Sequence, residues 1–176
     1  MSTPAAKKRP VVRIFVSYAH ADPALYKASL ESFLKWPSVQ VVTKWSDHLI
    51  VPGSDPDKAI KAELEQMDIF VALLSPQFAA SWYIQNVEVK AAKRREEAKE
   101  ILVAPVMVSH PGAHECKWLM GRELLPDKKK SWSEIQKECR YFDGCSDEAI
   151  RPIRDGVKKL VDAVLARKRA GKRKYP

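Results

Sequence analysis

The chain has 176 residues, with 31 Lys and Arg against 22 Asp and Glu and a formal net charge of +9. That length suits one domain of roughly 100–200 residues with short tails, large enough to bury a core without disulfide or metal staples. With 45% hydrophobic and 30% charged residues it reads neither as disordered nor as membrane-embedded, and its longest clean apolar run, Ile69–Leu74, is far short of the ~20 residues that span a bilayer.

The charge excess sits at the ends. Lys7, Lys8 and Arg9 lie at one terminus, and Arg167, Lys168, Arg169, Lys172, Arg173 and Lys174 at the other, with no acid among them; the stretch from Pro10 to Ala166 is neutral. The expected division is a basic arm over 1–10, one domain over 11–166, and a basic tail or linker over 167–176. Such a tail can hold nucleic acid or an anionic surface electrostatically, but a solvated end or a linker to a further domain is the simpler account. Nucleic acid is expected only through the tail. No apolar segment follows Lys7–Arg9 to make a signal peptide, so a cytoplasmic protein without membrane contact is expected. Cys116, Cys139 and Cys145 form no CxxC pair. His114-Glu115-Cys116 adds no recognisable ligand spacing, so reduced thiols and no metal are expected.

Val11–Val16 is β-branched and aromatic and reads as a strand ending at Ser17-Tyr18-Ala19-His20-Ala21-Asp22. Asp22-Pro23 is an N-cap with proline at the first helical position, opening a helix that runs to Trp36-Pro37 with Leu25, Leu30, Phe33 and Leu34 inward. Val39–Thr43 is a second strand, and Pro52-Gly53 marks a turn. Asp55-Pro56 opens a helix with Ile60, Leu64 and Met67 on its inner face. Ile69–Leu74 is apolar throughout, as a central strand covered on both faces should be, and Ser75-Pro76 ends it. A long helix is expected from Ser81 to Ala98, then a strand from Ile101 to Val108 in which Pro105 marks a bulge or edge. From Ser109 to Gly144 the signal weakens to loop, with a short last strand near Cys139–Phe142. The final helix, Asp147–Arg167, carries Ile150, Ile153, Val157, Leu160, Val161 and Val164 on one face. Strand–helix alternation of this kind implies a parallel sheet with helices on both faces.

In such sheets the ligand site lies beyond the carboxyl ends of the strands. Ser17–Asp22 contains no glycine, which excludes a glycine-rich dinucleotide-binding turn and a phosphate-binding loop. A phospho-receiver domain needs an Asp closing the third strand, and Leu73-Leu74-Ser75 has none. Arg13-Ile14-Phe15-Val16-Ser17-Tyr18, then Asp47–Gly53, then Val71-Ala72-Leu73-Leu74-Ser75-Pro76, then Ser81-Trp82-Tyr83 leading to Val87-Glu88, resemble the successive motifs of a Toll/interleukin receptor homology (TIR) domain of bacterial type. Ala104-Pro105-Val106 resembles the fourth strand of that family. The resemblance implies a flavodoxin-like fold of five parallel strands in the order 2-1-3-4-5. It also implies one of two functions. Many members cleave NAD+ between nicotinamide and ribose, giving ADP-ribose or a cyclic isomer, and act in bacterial immune defence; others are non-catalytic modules acting through contacts between TIR domains.

Glu88 separates these functions. At ~100° per residue, Tyr83, Ile84, Val87 and Ala91 form the buried stripe of the long helix and Glu88 falls roughly 75–80° from its centre. On position alone Glu88 reads first as an ordinary boundary residue in a salt bridge. The family resemblance makes it the catalytic carboxylate, although the Trp that several relatives carry four residues earlier is here Ile84. NAD+ is then the substrate and no cofactor is implied. Ser17, Tyr18, His20, Asp22, Trp45, Asp47, Ser75 and Trp82 are the candidate substrate contacts. Tyr18, Trp45 and Trp82 offer stacking surfaces, and Asp22 and Ser75 are also explained as helix caps. Leu49, Ile50, Val51, Pro52 and Gly53 correspond to the mobile assembly loop, whose apolar residues suit self-association; a regulatory partner or a further domain is the other expected contact.

Overall fold

The computed structural model describes residues 10–22, 26, 30, 34–45, 55–112, 116–126, 130–139, 146–172, 174 and 175. Four parallel strands, β1 (Val11–Ser17), β2 (Gln40–Trp45), β3 (Ile69–Leu74) and β4 (Leu102–Met107), lie in the order β2-β1-β3-β4. Each crossover between neighbours leaves room for a helix, as parallel pairing requires. Alternation along the strands sorts the core into two layers. Ile14, Val16, Val71 and Val106 face the last helix, while Phe15, Phe70, Ala72 and Met107 face the other side. Phe15 stacks on Phe70 across the β1–β3 pair with ring centroids 6.1 Å apart.

Helix α1 (Pro56–Gln66) begins where expected. The Asp55 side chain accepts from Lys58 N, Pro56 takes the first helical position, and Ile60 and Leu64 are buried. Ser75 caps a short helix α2 (Pro76–Ala80) by accepting from Phe78 N at 3.0 Å. The long helix expected over Ser81–Ala98 is a π-helical turn, Ile84–Glu88, running into α3 (Val89–Glu97). The expected helix from Asp22 to Trp36, with Leu25 and Phe33, falls largely outside the described residues; Tyr26 and Leu30 are helical and, like Leu34, buried.

One expectation for the second half is corrected. The stretch expected as loop carries helices α4 (Lys117–Met120) and α5 (Trp132–Cys139). Ser131 and Glu134 form a reciprocal cap: Ser131 N donates to Glu134 Oε2 at 2.7 Å and Glu134 N to Ser131 Oγ at 3.4 Å. This is the Ser-x-x-Glu pattern that opens helices. It drives Trp132, fully buried, against Tyr26 with ring centroids 4.7 Å apart. Of the fifth strand expected near Cys139–Phe142, Cys139 closes α5 instead, and residues 140–142 lie outside the described ones. Beside β4 sits Leu125, in a single parallel bridge to Val106: Leu125 N donates to Pro105 O and Met107 N to Leu125 O. Four strands, not five, make up the described sheet.

Helix α6 (Ser146–Arg169) covers one face with Ile150, Ile153, Val157, Val161 and Val164, and Leu160 packs at its margin. Gly156 lets it pass close to Leu125; a Cβ there would lie 2.4 Å from Leu125 Cδ2. The helix runs through Arg169, so Arg167 and Lys168 are not part of a solvated tail. Both reach the base of the sheet, where their side chains pair with Asp68 at 2.9 and 2.7 Å. Among the described residues, no helix is long and apolar enough to cross a membrane.

Candidate active site

Beyond the carboxyl ends of β1 and β3 lies a cleft of about 630 Å³, walled mainly by apolar surface from Tyr18, Ala19, Pro56, Ile60 and Ile84. Glu88 forms part of its lining and is 1% exposed. This corrects the position expected from regular helical spacing. The buried residues are Ile84, Glu88, Ala92 and Arg95, while Tyr83, Val87 and Ala91 are only half-buried. The cause is the π turn, in which Val89 N donates to Ile84 O five residues back. One residue more per turn rotates the chain by up to about 100° relative to a continuous α-helix, bringing Glu88 inward.

Ser17, the last residue of β1, donates from Oγ to Glu88 Oε2. Burial pushes the Glu88 carboxyl up to about 7, and the Ser17 hydroxyl offsets part of that rise. Such a group exchanges its proton near neutrality, which suits both charge stabilisation and proton transfer.

The other candidates divide. Tyr18 and His20, from the turn after β1, both line the cleft, with their rings tilted together at 5.5 Å. Ser75 and Asp22 are engaged with each other: Ser75 Oγ donates to Asp22 Oδ2 at 2.7 Å. Burial raises the Asp22 carboxyl, partly countered by that bond. Trp82 does not line the cleft and is 72% exposed. Trp45 closes β2, with its side chain outside the described set. Asp47 and the assembly-loop residues Leu49, Ile50, Val51, Pro52 and Gly53 lie outside the described residues.

Two further cleft residues form a pair that the sequence does not show. Tyr83 Oη donates to Asp57 Oδ1 at 2.9 Å, joining the start of α1 to the residue before the π turn, and both line the cleft. Burial and that carboxylate hold the Tyr83 hydroxyl far above its usual range. Asp57 belongs to no recognisable motif and Tyr83 stands in the Ser81-Trp82-Tyr83 motif with no role assigned to it, so only the crossing of two helices reveals the pair. Among the described residues no three His, Cys, Asp or Glu side chains are grouped to hold a metal.

A parallel α/β domain with a buried carboxylate in the cleft past its strand ends is the class that fold and site define. A family profile described as "TIR domain" matches residues 14–141. The chain belongs to the TIR domain family. It is also 33% identical over 106 residues to "Uncharacterized protein y4lF" of Sinorhizobium fredii, a match covering 60% of this chain and 31% of that protein. The matched region thus spans about a third of that relative's length.

Proposed function

We propose that this protein is an NAD+ glycohydrolase that breaks the bond between nicotinamide and ribose. The observation that carries the reading is Glu88, a buried carboxyl held near pH 7 at the wall of a ligand-sized cleft. Heterolysis leaves the bonding pair on nicotinamide, which departs neutral from a cationic pyridinium and needs no acid. The ribose carbon becomes oxocarbenium-like, as in other glycoside cleavages. An ionised Glu88 stabilises that charge from a site with little competing water. Water then adds at the same carbon and gives up a proton, and a carboxylate of this pKa is suited to receive it. ADP-ribose results; an internal nucleophile in place of water gives a cyclic isomer. Tyr18 and His20 supply flat faces for the pyridinium or the adenine.

With this goes a proposed setting: signalling in bacterial immune defence, in the cytoplasm, with cleavage promoted by TIR–TIR association. That setting follows from the family and not from a residue. A second reading, a non-catalytic association module, draws on Trp82, a large aromatic exposed on the surface. Incubating the purified protein with NAD+ over a wide concentration range and separating the products by chromatography decides between them. Nicotinamide appearing faster than in proportion to protein supports the glycohydrolase reading with assembly. A protein inert at every concentration and under crowding favours the module.

A further inference from the structure

We infer that Ser17 is a positioning residue for the proposed cleavage: from the end of β1 its hydroxyl holds Glu88 Oε2 and leaves Oε1 to meet the ligand. The inference rests on the reading of Glu88 as the catalytic carboxylate. Glu88 lines the cleft and Ser17 does not, which sets Ser17 behind the carboxylate and not against the ligand, the role the sequence suggested for it.

The anchoring is built from the most constrained part of the fold. β1 is paired on both sides, by β2 and by β3, and Ser17 itself is in register with Ala72. Glu88 closes the π turn, a segment with a looser backbone bonding pattern than the helix after it. A glutamate has three rotatable side-chain bonds, and a bond to a sheet-borne hydroxyl removes most of that freedom before a ligand arrives. The partner type matters too. A serine hydroxyl donates to a carboxylate and accepts from a carboxylic acid, by rotation of its own hydrogen. The pair therefore stays bonded whether Glu88 is ionised or has just taken up the proton of the attacking water. A purely donating partner would have to let go at that moment.

As a donor to the charged form, Ser17 also keeps Glu88 more acidic than burial alone would allow. The other ionisable groups around the cleft are Tyr18 and His20 from the turn after β1, Asp57 from α1 and Tyr83 from before the π turn. Asp22 is held by Ser75 at the end of β3. Ser17 is bonded directly to the Glu88 carboxylate.

The test uses the full chain as parent, Ser17→Ala, Ser17→Thr and Glu88→Gln. Proteins carrying glutamate 13C-labelled at the side-chain carboxyl are titrated by NMR, with Glu88→Gln assigning the resonance, and nicotinamide release is followed against pH. In Ser17→Ala the Glu88 midpoint should rise by about one to two pH units, the worth of a hydrogen bond to a charged group. The acidic limb of kcat/KM should move with it, and Ser17→Thr, which keeps the hydroxyl, should restore both. If Ser17→Ala does not fold, Ser17→Cys replaces it, with a smaller rise expected from its weak S–H donor. A folded Ser17→Ala whose Glu88 titration and pH profile superimpose on the parent overturns the inference, and leaves the glycohydrolase reading standing if Glu88→Gln is dead. Full cleavage by Glu88→Gln overturns that reading itself, and the positioning role falls with it.

Discussion

Asp68, at the entrance to β3, and Arg167, near the end of the last helix, form a 2.9 Å ion pair across 99 residues of sequence. Lys168 joins at 2.7 Å, and Asp68 Oδ2 also accepts from Arg13 N at 2.9 Å. Asp68 is only 6% exposed, so little water can replace these partners if they are removed. Replacing Arg167 and Lys168 together with Ala should lower stability by about 3–5 kcal/mol, the cost of stranding a buried charge. Urea unfolding monitored by circular dichroism measures it. Removal of residues 171–176 should cost far less, about 1 kcal/mol, since it takes away the Tyr175 ring that lies 4.4 Å from the Arg167 guanidinium but leaves Asp68 paired.

Glu88→Gln should separate activity from stability. On the proposed mechanism, losing the Glu88 charge should slow nicotinamide release by at least roughly a hundredfold. Stability should move the other way. Below pH 4.5 the carboxyl is protonated in folded and unfolded chains alike. Between 4.5 and about 7 the unfolded chain ionises while the folded one keeps its proton, so the parent loses stability as pH rises. Gln has no such loss. The variant should melt like the parent near pH 4 and higher than it at pH 8. The gain should reach up to about 3 kcal/mol, since each pH unit separating the folded and unfolded midpoints is worth about 1.4 kcal/mol. Paired thermal melts at the two pH values check this.

The pH dependence of cleavage should follow the same group. With the carboxylate as active form, kcat/KM rises with pH and levels off above about 7, the free protein's Glu88 value. A bound pyridinium favours the ionised form, so the midpoint for kcat should lie below that for kcat/KM. Initial rates of nicotinamide release from pH 5 to 9 give both.

Gly156 and Leu125 offer a test of the sheet edge. Gly156→Ala gains helix propensity of about 1 kcal/mol but drives a methyl into Leu125, an overpacking cost of about 1–3 kcal/mol. The single variant should be slightly destabilised. On a Leu125→Ala background the same change should stabilise by about 1 kcal/mol. A sign reversal in chemical denaturation confirms that Leu125 occupies the place beside β4.

Much of the frame is legible in the sequence because its signals are local. Asp55-Pro56 and Ser75-Pro76 mark helix starts, and both caps form. The apolar run Ile69–Leu74 is a strand buried on both faces. What escapes is either non-local or out of period. Arg167 counts as one more positive charge in a tail, because a charge tally cannot see where a helix end docks. The Ser131–Glu134 cap is present in the sequence but stands near Pro126 and the lysine run Lys128–Lys130, whose loop character masks it. Glu88 is identifiable as a residue but not in its placement. A fixed spacing of 3.6 residues puts it at an edge, and the chain departs from that spacing at Ile84–Glu88.

That departure has a consequence for comparing such proteins. Between Trp82 and Val89 the backbone is, in effect, one letter longer than a smooth helix of the same rise. Deleting a single residue from 84–87 would restore ordinary winding, keep the glutamate beside Val89, and turn everything upstream of it to a new bearing. Two chains can then share the glutamate in an aligned column and yet differ in whether it meets a serine or water. Here the burial of a carboxyl is written in a count of residues as much as in their identity.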